Sequence, residues 1–462
     1  MSQIDRNSQT VDTDDTVWTP QNWRLRQALQ MPVYPDSAAL ETTLNELHQL
    51  PPLVTSWEVL SLKQQLAEAQ EGRRFVLQGG DCAENFADCE SSIISNRLKV
   101  LLQMSLVLIY GLRLPVIRIG RFAGQYAKPR SSDTETRGEV TLPSYRGDII
   151  NRPEFTAQAR IPDPQLMITA HSRSSMTMNF VRALIDGGFA DLRHPEYWSL
   201  RWVDYSTRAS EYQQMVASIG DAVRFMEALS GEHMHNLNRI DFYTSHEALL
   251  LPYEEAVTRQ VPRQSGWFNL GTHFPWIGMR TAAVDGAHVE YLRGVVNPIA
   301  VKVGPSVQPD QLLRLIDVLN PEDEPGRLTF IHRMGATQIA EKLPPLLDAI
   351  RSDGRRVLWM CDAMHGNTES TRNGYKTRRF SNILGELEQA FDLHAAAGTR
   401  LGGVHLELTG EDVTECTGGA RDLKDMDLER AYRSTVDPRL NYEQSLEIAM
   451  AIVRKQSSAT IR

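Results

Sequence analysis

The stretch IAVKVGPSVQPDQLLRLIDVLNPEDEPGRLTFI, Ile299 to Ile331, decides the fold. It opens on a short β-branched run, Ile299 to Val303, and closes on a second, Leu328 to Ile331. Between them, Pro309 to Leu319 repeats its apolar residues at intervals of three and four, as an amphipathic crossover helix requires. Strand, helix, strand in that order is the unit from which parallel sheets with an outer helical layer are built.

Working outward, Thr337 to Ile350 has the same helical period, and strand-like runs follow at Val357 to Met360 and Val404 to Leu406. Four earlier runs, Arg74 to Leu77, Pro115 to Ile119, Ile240 to Tyr243 and Trp267 to Leu270, bring the number to eight. Eight β-then-α units predict an α/β chain folded as a (β/α)8 TIM barrel. Residues 1–70 precede the first strand and read as an N-terminal extension that packs on the barrel or on a subunit interface. The barrel domain then takes 71–462, with inserted helices at about 146–239 between strands two and three, far longer than an ordinary crossover loop. There Tyr212, Met215, Val216, Ile219, Val223 and Met226 form an apolar stripe.

At 462 residues and 41% hydrophobic, the chain can bury a large core. A formal net charge of -9 argues against nucleic acid or an anionic membrane as partner, because both are held by clustered Lys and Arg. The start, MSQIDRNSQTVDTDD, lacks the apolar core of a signal peptide, and the expected location is cytoplasmic. Four cysteines without CxxC spacing form neither a disulfide framework nor a zinc knuckle.

Catalysis in a parallel barrel sits at the C-terminal ends of the strands. Here those ends carry Asp81 and Cys82 after the first strand, then Arg121 with Lys128 and Arg130 after the second. Trp276 and Arg280 follow the fourth, Lys302 ends the fifth and Arg333 follows the sixth. Asp362 and His365 follow the seventh, Glu407 the eighth, and Asp437 lies just beyond. A single histidine or buried cysteine is ordinarily structural. Jointly, however, Cys82, His365, Glu407 and Asp437 offer S, N, O and O donors, a set that suits a first-row divalent ion. Mn2+ is the first expectation, with Co2+, Fe2+ or Zn2+ as alternatives. The cations beside them, on an acidic chain, point to a substrate with two or more anionic groups.

The motifs LQGGDCAENF, RIGRFAGQYAKPRSS, SYRGDIIN, SHEALLL, WIGMRT, DGAHVEY, VKVGP, RMG, CDAMHGNT, GYKTR, GGVHLELTGEDVTEC and DPRLN, in that order, resemble the class II (plant-like) 3-deoxy-D-arabino-heptulosonate 7-phosphate (DAHP) synthases. The resemblance runs from Trp18 to near Lys455. It implies a transferase that condenses phosphoenolpyruvate with erythrose 4-phosphate and water, the first step of the shikimate pathway and so of aromatic amino-acid biosynthesis. It further implies Cys82, His365, Glu407 and Asp437 as metal ligands. Arg121, Met279, Arg280, Lys302 and Arg333 fall on the phosphoenolpyruvate side, with Lys302 and Arg280 catalytic. Lys128, Arg130 and Ser131 fall on the erythrose 4-phosphate side. A homo-oligomer, dimer or tetramer, is expected, with aromatic amino acids as effectors bound by the insertion and the pre-barrel segment.

One position departs from the pattern. Where the family shows WIGERT this chain has WIGMRT, so a thioether, Met279, stands where a carboxylate is expected. A carboxylate could orient a water molecule or neutralise arginine charge, and a thioether can do neither. The departure leaves a second reading: a diverged paralogue that serves a specialised pathway, or a weakly active ligand-binding homologue.

Overall fold

The computed structural model describes residues 17–187, 189 and 240–460, with isolated positions 210, 213, 214 and 217 between them. Eight strands form one parallel sheet: β1 (Phe75–Gly80), β2 (Val116–Arg121), β3 (Tyr243–Thr244), β4 (Trp276–Ile277), β5 (Ile299–Val303), β6 (Leu328–His332), β7 (Leu358–Cys361) and β8 (Leu401–Glu407). Their order is β3-β2-β1-β8-β7-β6-β5-β4. The outer two are brought together by backbone hydrogen bonds from Phe274 to Thr244 (3.2 Å), Trp276 to His246 (3.1 Å) and Ala248 to Trp276 (2.9 Å). The sheet therefore curls round into the expected barrel.

Ten helices are described: α1 (Ser37–Gln49), α2 (Ser56–Gln70), α3 (Ser91–Leu112), α4 (Gln165–Asp186), α5 (Leu251–Ala256), α6 (Ala287–Arg293), α7 (Pro309–Leu319), α8 (Ile339–Asp353), α9 (Phe380–Ala396) and α10 (Tyr442–Thr460). In α7, Pro309 occupies the first turn, where a missing N–H costs no hydrogen bond, and Leu312, Leu315, Ile316 and Leu319 make the buried face. Helix α2 starts from a Thr55–Glu58 capping box and gives Leu62, Leu66 and Ala69 to the inner core, where they meet Val76, Ile117, Ala300, Ile331 and Leu358. Val76, Ile117, Ala300 and Leu358 are the first or second residues of their strands, so α2 packs under the barrel and leaves the opposite end free for chemistry. Helix α3 is long and apolar enough to cross a membrane by length and composition. In this chain its residues Val100 to Leu108 are buried, and it packs on α10.

Two strand expectations need correction. Trp267 to Leu270 is not a barrel strand: Phe268–Asn269 pairs antiparallel with Thr258–Arg259 in a separate two-stranded sheet. Asn269 is held there by Asn297, whose side chain accepts its N–H (2.9 Å) and donates to its carbonyl (2.9 Å). The fourth position falls to Trp276–Ile277, too short to leave a period in the sequence. The third strand begins only where Ile240 to Tyr243 ends, and just ahead of it Phe242 stacks on Phe122 at 5.4 Å. Within the long β2–β3 connection lie a hairpin, Thr134–Arg137 with Val140–Pro143, and α4. The apolar stripe from Tyr212 to Met226 lies outside the described residues.

Candidate active site

Register places the polar residues. At the top of the sheet Gly80 is aligned with Arg121 on one side and Glu407 on the other. Gly80 has φ +147°, and a Cβ there would press on the Arg121 backbone at 2.8 Å. With no side chain between them, Arg121 reaches Glu407 at 3.1 Å. Lys302 is the penultimate residue of β5, and Arg333 and Asp362 are the first residues past β6 and β7.

The four proposed metal donors converge. Cys82 Sγ, a His365 ring nitrogen, and carboxylate oxygens of Glu407 and Asp437 lie within 4.8 Å of one another. His365 Nε2 is 3.0 Å from Glu407 Oε1, and Cys82 Sγ is 3.6 Å from Asp437 Oδ2. Ligands about 2.0–2.3 Å from one ion are spaced about 3.5 Å apart in a tetrahedral set, so the donors fit a first-row divalent metal in number, spacing and chemistry. His365 is oriented for this by Asp362, whose Oδ2 lies 2.7 Å from Nδ1 and leaves Nε2 facing Glu407.

The electrostatics are those of a charge cluster sealed by the barrel. Burial alone would raise Glu407, but His365, Arg378 and Arg121 hold it well below the usual carboxylate range. Asp437 is likewise lowered against burial, chiefly by Lys128. The Lys128 ammonium sits 2.5 Å from both Cys82 Sγ and Asp437 Oδ2, and Lys376 reaches Asp437 Oδ1 at 3.0 Å. Burial pushes the Cys82 thiol up, helped by Glu407, and a bound cation would reverse this.

Next to the quartet are the expected cations. Arg121 is buried, packs 5.3 Å over the Trp276 ring and approaches His405 Nε2 at 2.6 Å. Burial lowers Lys302 to about 8, although the close Asp362 carboxylate opposes the shift. Arg333 donates to the His365 carbonyl at 2.7 Å, and its second Nη faces Met279 Sδ at 3.6 Å. Met279 also fills the space above Gly304, where a Cβ would overlap its sulfur. Arg280 is exposed at the rim and donates to Ser131 Oγ at 3.2 Å, linking the β4 loop to the loop after β2. Arg130 is half-buried, with its backbone N–H held by Gln30 Oε1 at 2.8 Å. The predicted residues thus gather at one end of the barrel, with Arg280 and Ser131 outermost.

Several residues given no role by sequence hold this arrangement. Arg378, fully buried, pairs with Glu407 Oε2 at 2.6 Å and also donates to the Pro438 carbonyl, which anchors the Asp437 loop. Glu84 accepts three backbone N–H groups, from Ala123, Gly124 and Gln125, at 3.0 Å each, and so straps the loop after β1 to the loop after β2. Glu386 of α9 accepts from Met334 N (2.8 Å), Gly335 N (2.9 Å) and Asn367 Nδ2 (2.7 Å). Asn367 Oδ1 in turn accepts from Ala336 N at 3.0 Å. Glu386, Arg378 and Glu84 all lie inside apolar or Gly-containing motifs, and a charged residue on a buried face was the available signal.

Comparison with known proteins agrees along nearly the whole chain. The model of the class-II DAHP synthetase family matches residues 18–453. A protein of Neurospora crassa named phospho-2-dehydro-3-deoxyheptonate aldolase is 45% identical over 461 residues, covering 96% of this chain and 95% of its own. One of Streptomyces coelicolor with the same name is 45% identical over 443 residues, covering 96% and 98%.

Proposed function

The chain belongs to the class-II DAHP synthetase family, and from that premise we propose that it condenses phosphoenolpyruvate with erythrose 4-phosphate and water, giving DAHP and phosphate as the first step of the shikimate pathway. The observation that carries this reading is the meeting of the Cys82, His365, Glu407 and Asp437 donors with Arg121, Lys302 and Arg333 at one end of the barrel. The family match and 45% identity over nearly the whole of both chains favour the synthase over a diverged, weakly active homologue.

Cys82, His365, Glu407 and Asp437 would hold a divalent ion, Mn2+ first among the choices, which supplies a Lewis acid for the aldehyde oxygen. Around it the chain's own groups bind and orient. Arg333 and Lys302 offer charge-assisted hydrogen bonds to the carboxylate and phosphate of phosphoenolpyruvate, with Arg121 closing the inner wall. Lys128, Arg130 and Ser131 on the β2 loop receive erythrose 4-phosphate, and Arg280 at the rim, hydrogen-bonded to Ser131, completes the phosphoenolpyruvate side next to them. Once C3 of phosphoenolpyruvate has bonded to the aldehyde carbon, positive charge develops at C2, water adds there with loss of a proton, and the resulting tetrahedral carbon expels phosphate. Lys302, buried and with its proton loosened to about 8, can deliver that proton to the departing phosphate oxygen.

The same reading carries the expectations of a cytoplasmic homo-oligomer and of aromatic amino acids as effectors. Its test is the stoichiometry of the purified protein. One phosphate released per phosphoenolpyruvate consumed, only with erythrose 4-phosphate present, is the expected result. Phosphate release without the aldehyde would indicate a phosphatase and end the proposal.

A further inference from the structure

A second set of metal-type donors lies away from the barrel mouth, on the outer face of the sheet. His332 and Cys361 end β6 and β7 and stand opposite each other in register. Side chains alternate along a strand, so these two leave the sheet on the side of Phe330 and Trp359, away from Ile331 and Met360 of the inner core. There they meet the buried face of α9, which brings Glu386 and, two turns later, His394. A ring nitrogen of His332, Cys361 Sγ and a Glu386 carboxylate oxygen lie within 4.8 Å of one another, and all three residues are fully buried.

Packing alone does not account for these groups. Both ring nitrogens of His332 and Nε2 of His394 are buried without a hydrogen-bond partner. A neutral imidazole has one N–H and one lone pair, so His332 leaves a donor and an acceptor unused away from water. Glu386 accepts Met334 N and Gly335 N on Oε1 and Asn367 Nδ2 on Oε2, which leaves an acceptor position open on Oε2. The His394 ring centroid is 5.6 Å from that of His332, and Thr399 Oγ1 holds its Nδ1 at 2.8 Å, so Nε2 is the nitrogen left over.

We propose that His332, Cys361 and Glu386 form a second metal site, a closed structural site for Zn2+, with His394 Nε2 the available fourth donor. Thiolate and carboxylate together cancel the two charges of the ion, as burial away from water demands. The Cys361 thiol gives up its proton to solvent as the Zn–S bond forms, and no oxidation state changes. Thiolate and imidazole favour Zn2+ over Mn2+, so turnover restored by Mn2+ counts only the barrel-mouth quartet. The ion pins together two strand ends whose next residues are Arg333 and Asp362.

The site stands or falls independently of the synthase reading, because its test reads metal and not turnover. Full-length Cys82→Ala lacks the thiolate of the barrel-mouth quartet. Produced in zinc-supplemented medium and gel-filtered with EDTA, it should keep about one Zn2+ per chain by plasma mass spectrometry. Produced with Co2+, it should show a thiolate-to-cobalt charge-transfer band and the visible bands of a tetrahedral site. Adding Cys361→Ser should abolish the charge-transfer band, and adding His332→Gln should bring the metal content to background. X-ray absorption at the zinc edge of Cys82→Ala needs no second substitution, so it decides even where both double variants fail to fold: one sulfur among nitrogen and oxygen ligands is expected. A metal-free Cys82→Ala protein, a zinc shell without sulfur, or metal and band unchanged in a folded double variant each overturns the proposal.

Discussion

Asp362 Oδ2 lies 2.7 Å from His365 Nδ1 and also receives the ammonium of Lys302. One buried carboxylate therefore fixes the ring of a proposed metal ligand and the position of a proposed substrate cation. Burial would raise Asp362, and His365 and Lys302 more than reverse this, so it is ionised throughout the working range.

Asp362→Asn should weaken both functions together. Loss of the carboxylate behind a ligating histidine typically costs 10- to 100-fold in metal affinity, and Lys302 loses the partner that holds its charge. Mn2+ titration followed by electron paramagnetic resonance measures the first effect. Wild-type metal affinity in a folded Asp362→Asn protein would show that His365 is oriented by something else.

Arg333 is anchored by the His365 carbonyl with one nitrogen and leaves its Nε buried and unpaired. Arg333→Ala should raise the phosphoenolpyruvate KM about 10- to 100-fold, the equivalent of one charge-assisted bond of about 1.5–3 kcal/mol. Arg333→Lys should rescue little of it, since a point charge cannot copy a planar fork. Steady-state kinetics with phosphoenolpyruvate varied decide the matter, and an unaltered KM in Arg333→Ala would remove this residue from the substrate site.

Glu386 ties the β6 loop to the β7 loop from beneath, through Met334, Gly335 and Asn367. Glu386→Gln keeps the volume but sets an NH2 group against an N–H donor. Both the phosphoenolpyruvate KM and the metal affinity should worsen, each by about tenfold, because the two loops carry Arg333 and His365. A change in thermal stability with neither constant altered would limit Glu386 to a folding role.

His332 is fully buried with both ring nitrogens unpartnered, and burial pushes it down to about 3. The folded chain keeps it neutral while the unfolded chain protonates it near 6.5. Its contribution is therefore intact above about pH 6.5 and is lost as pH falls toward 3; at pH 5 the unfolded state gains about 2 kcal/mol from this one group. The melting temperature of His332→Gln should consequently fall less between pH 7.5 and pH 5 than that of the wild type. Parallel declines would mean that other groups govern acid sensitivity.

Local pattern made β5 and α7 legible residue for residue, because Ile299–Val303 is wholly buried and Pro309–Leu319 carries a strict helical stripe. Trp267 to Leu270 misled for the same reason: an apolar run reads alike whether it joins a barrel or a two-stranded hairpin. The true β4, Trp276–Ile277, is held by register with Ala300 and Val301, which no local period records. Within the site, residues that end strands could be read because the barrel sends strand ends to one place. Glu386 could not, since it comes from a helix: it shares the buried face of α9 with Ile383, Leu387 and Ala390, and only a carboxylate on that face betrayed it.

The central claim, that the four converging donors make a metal-dependent condensation site, is tested most directly by metal titration of chelator-stripped protein. Turnover of phosphoenolpyruvate with erythrose 4-phosphate should be absent at first, return with Mn2+ and saturate at about one equivalent per chain, as a single four-donor site requires. Cys82→Ala should stay folded by circular dichroism and show no such return. Full turnover in the stripped wild type, or Mn2+-restored turnover at the wild-type level in Cys82→Ala, would contradict it.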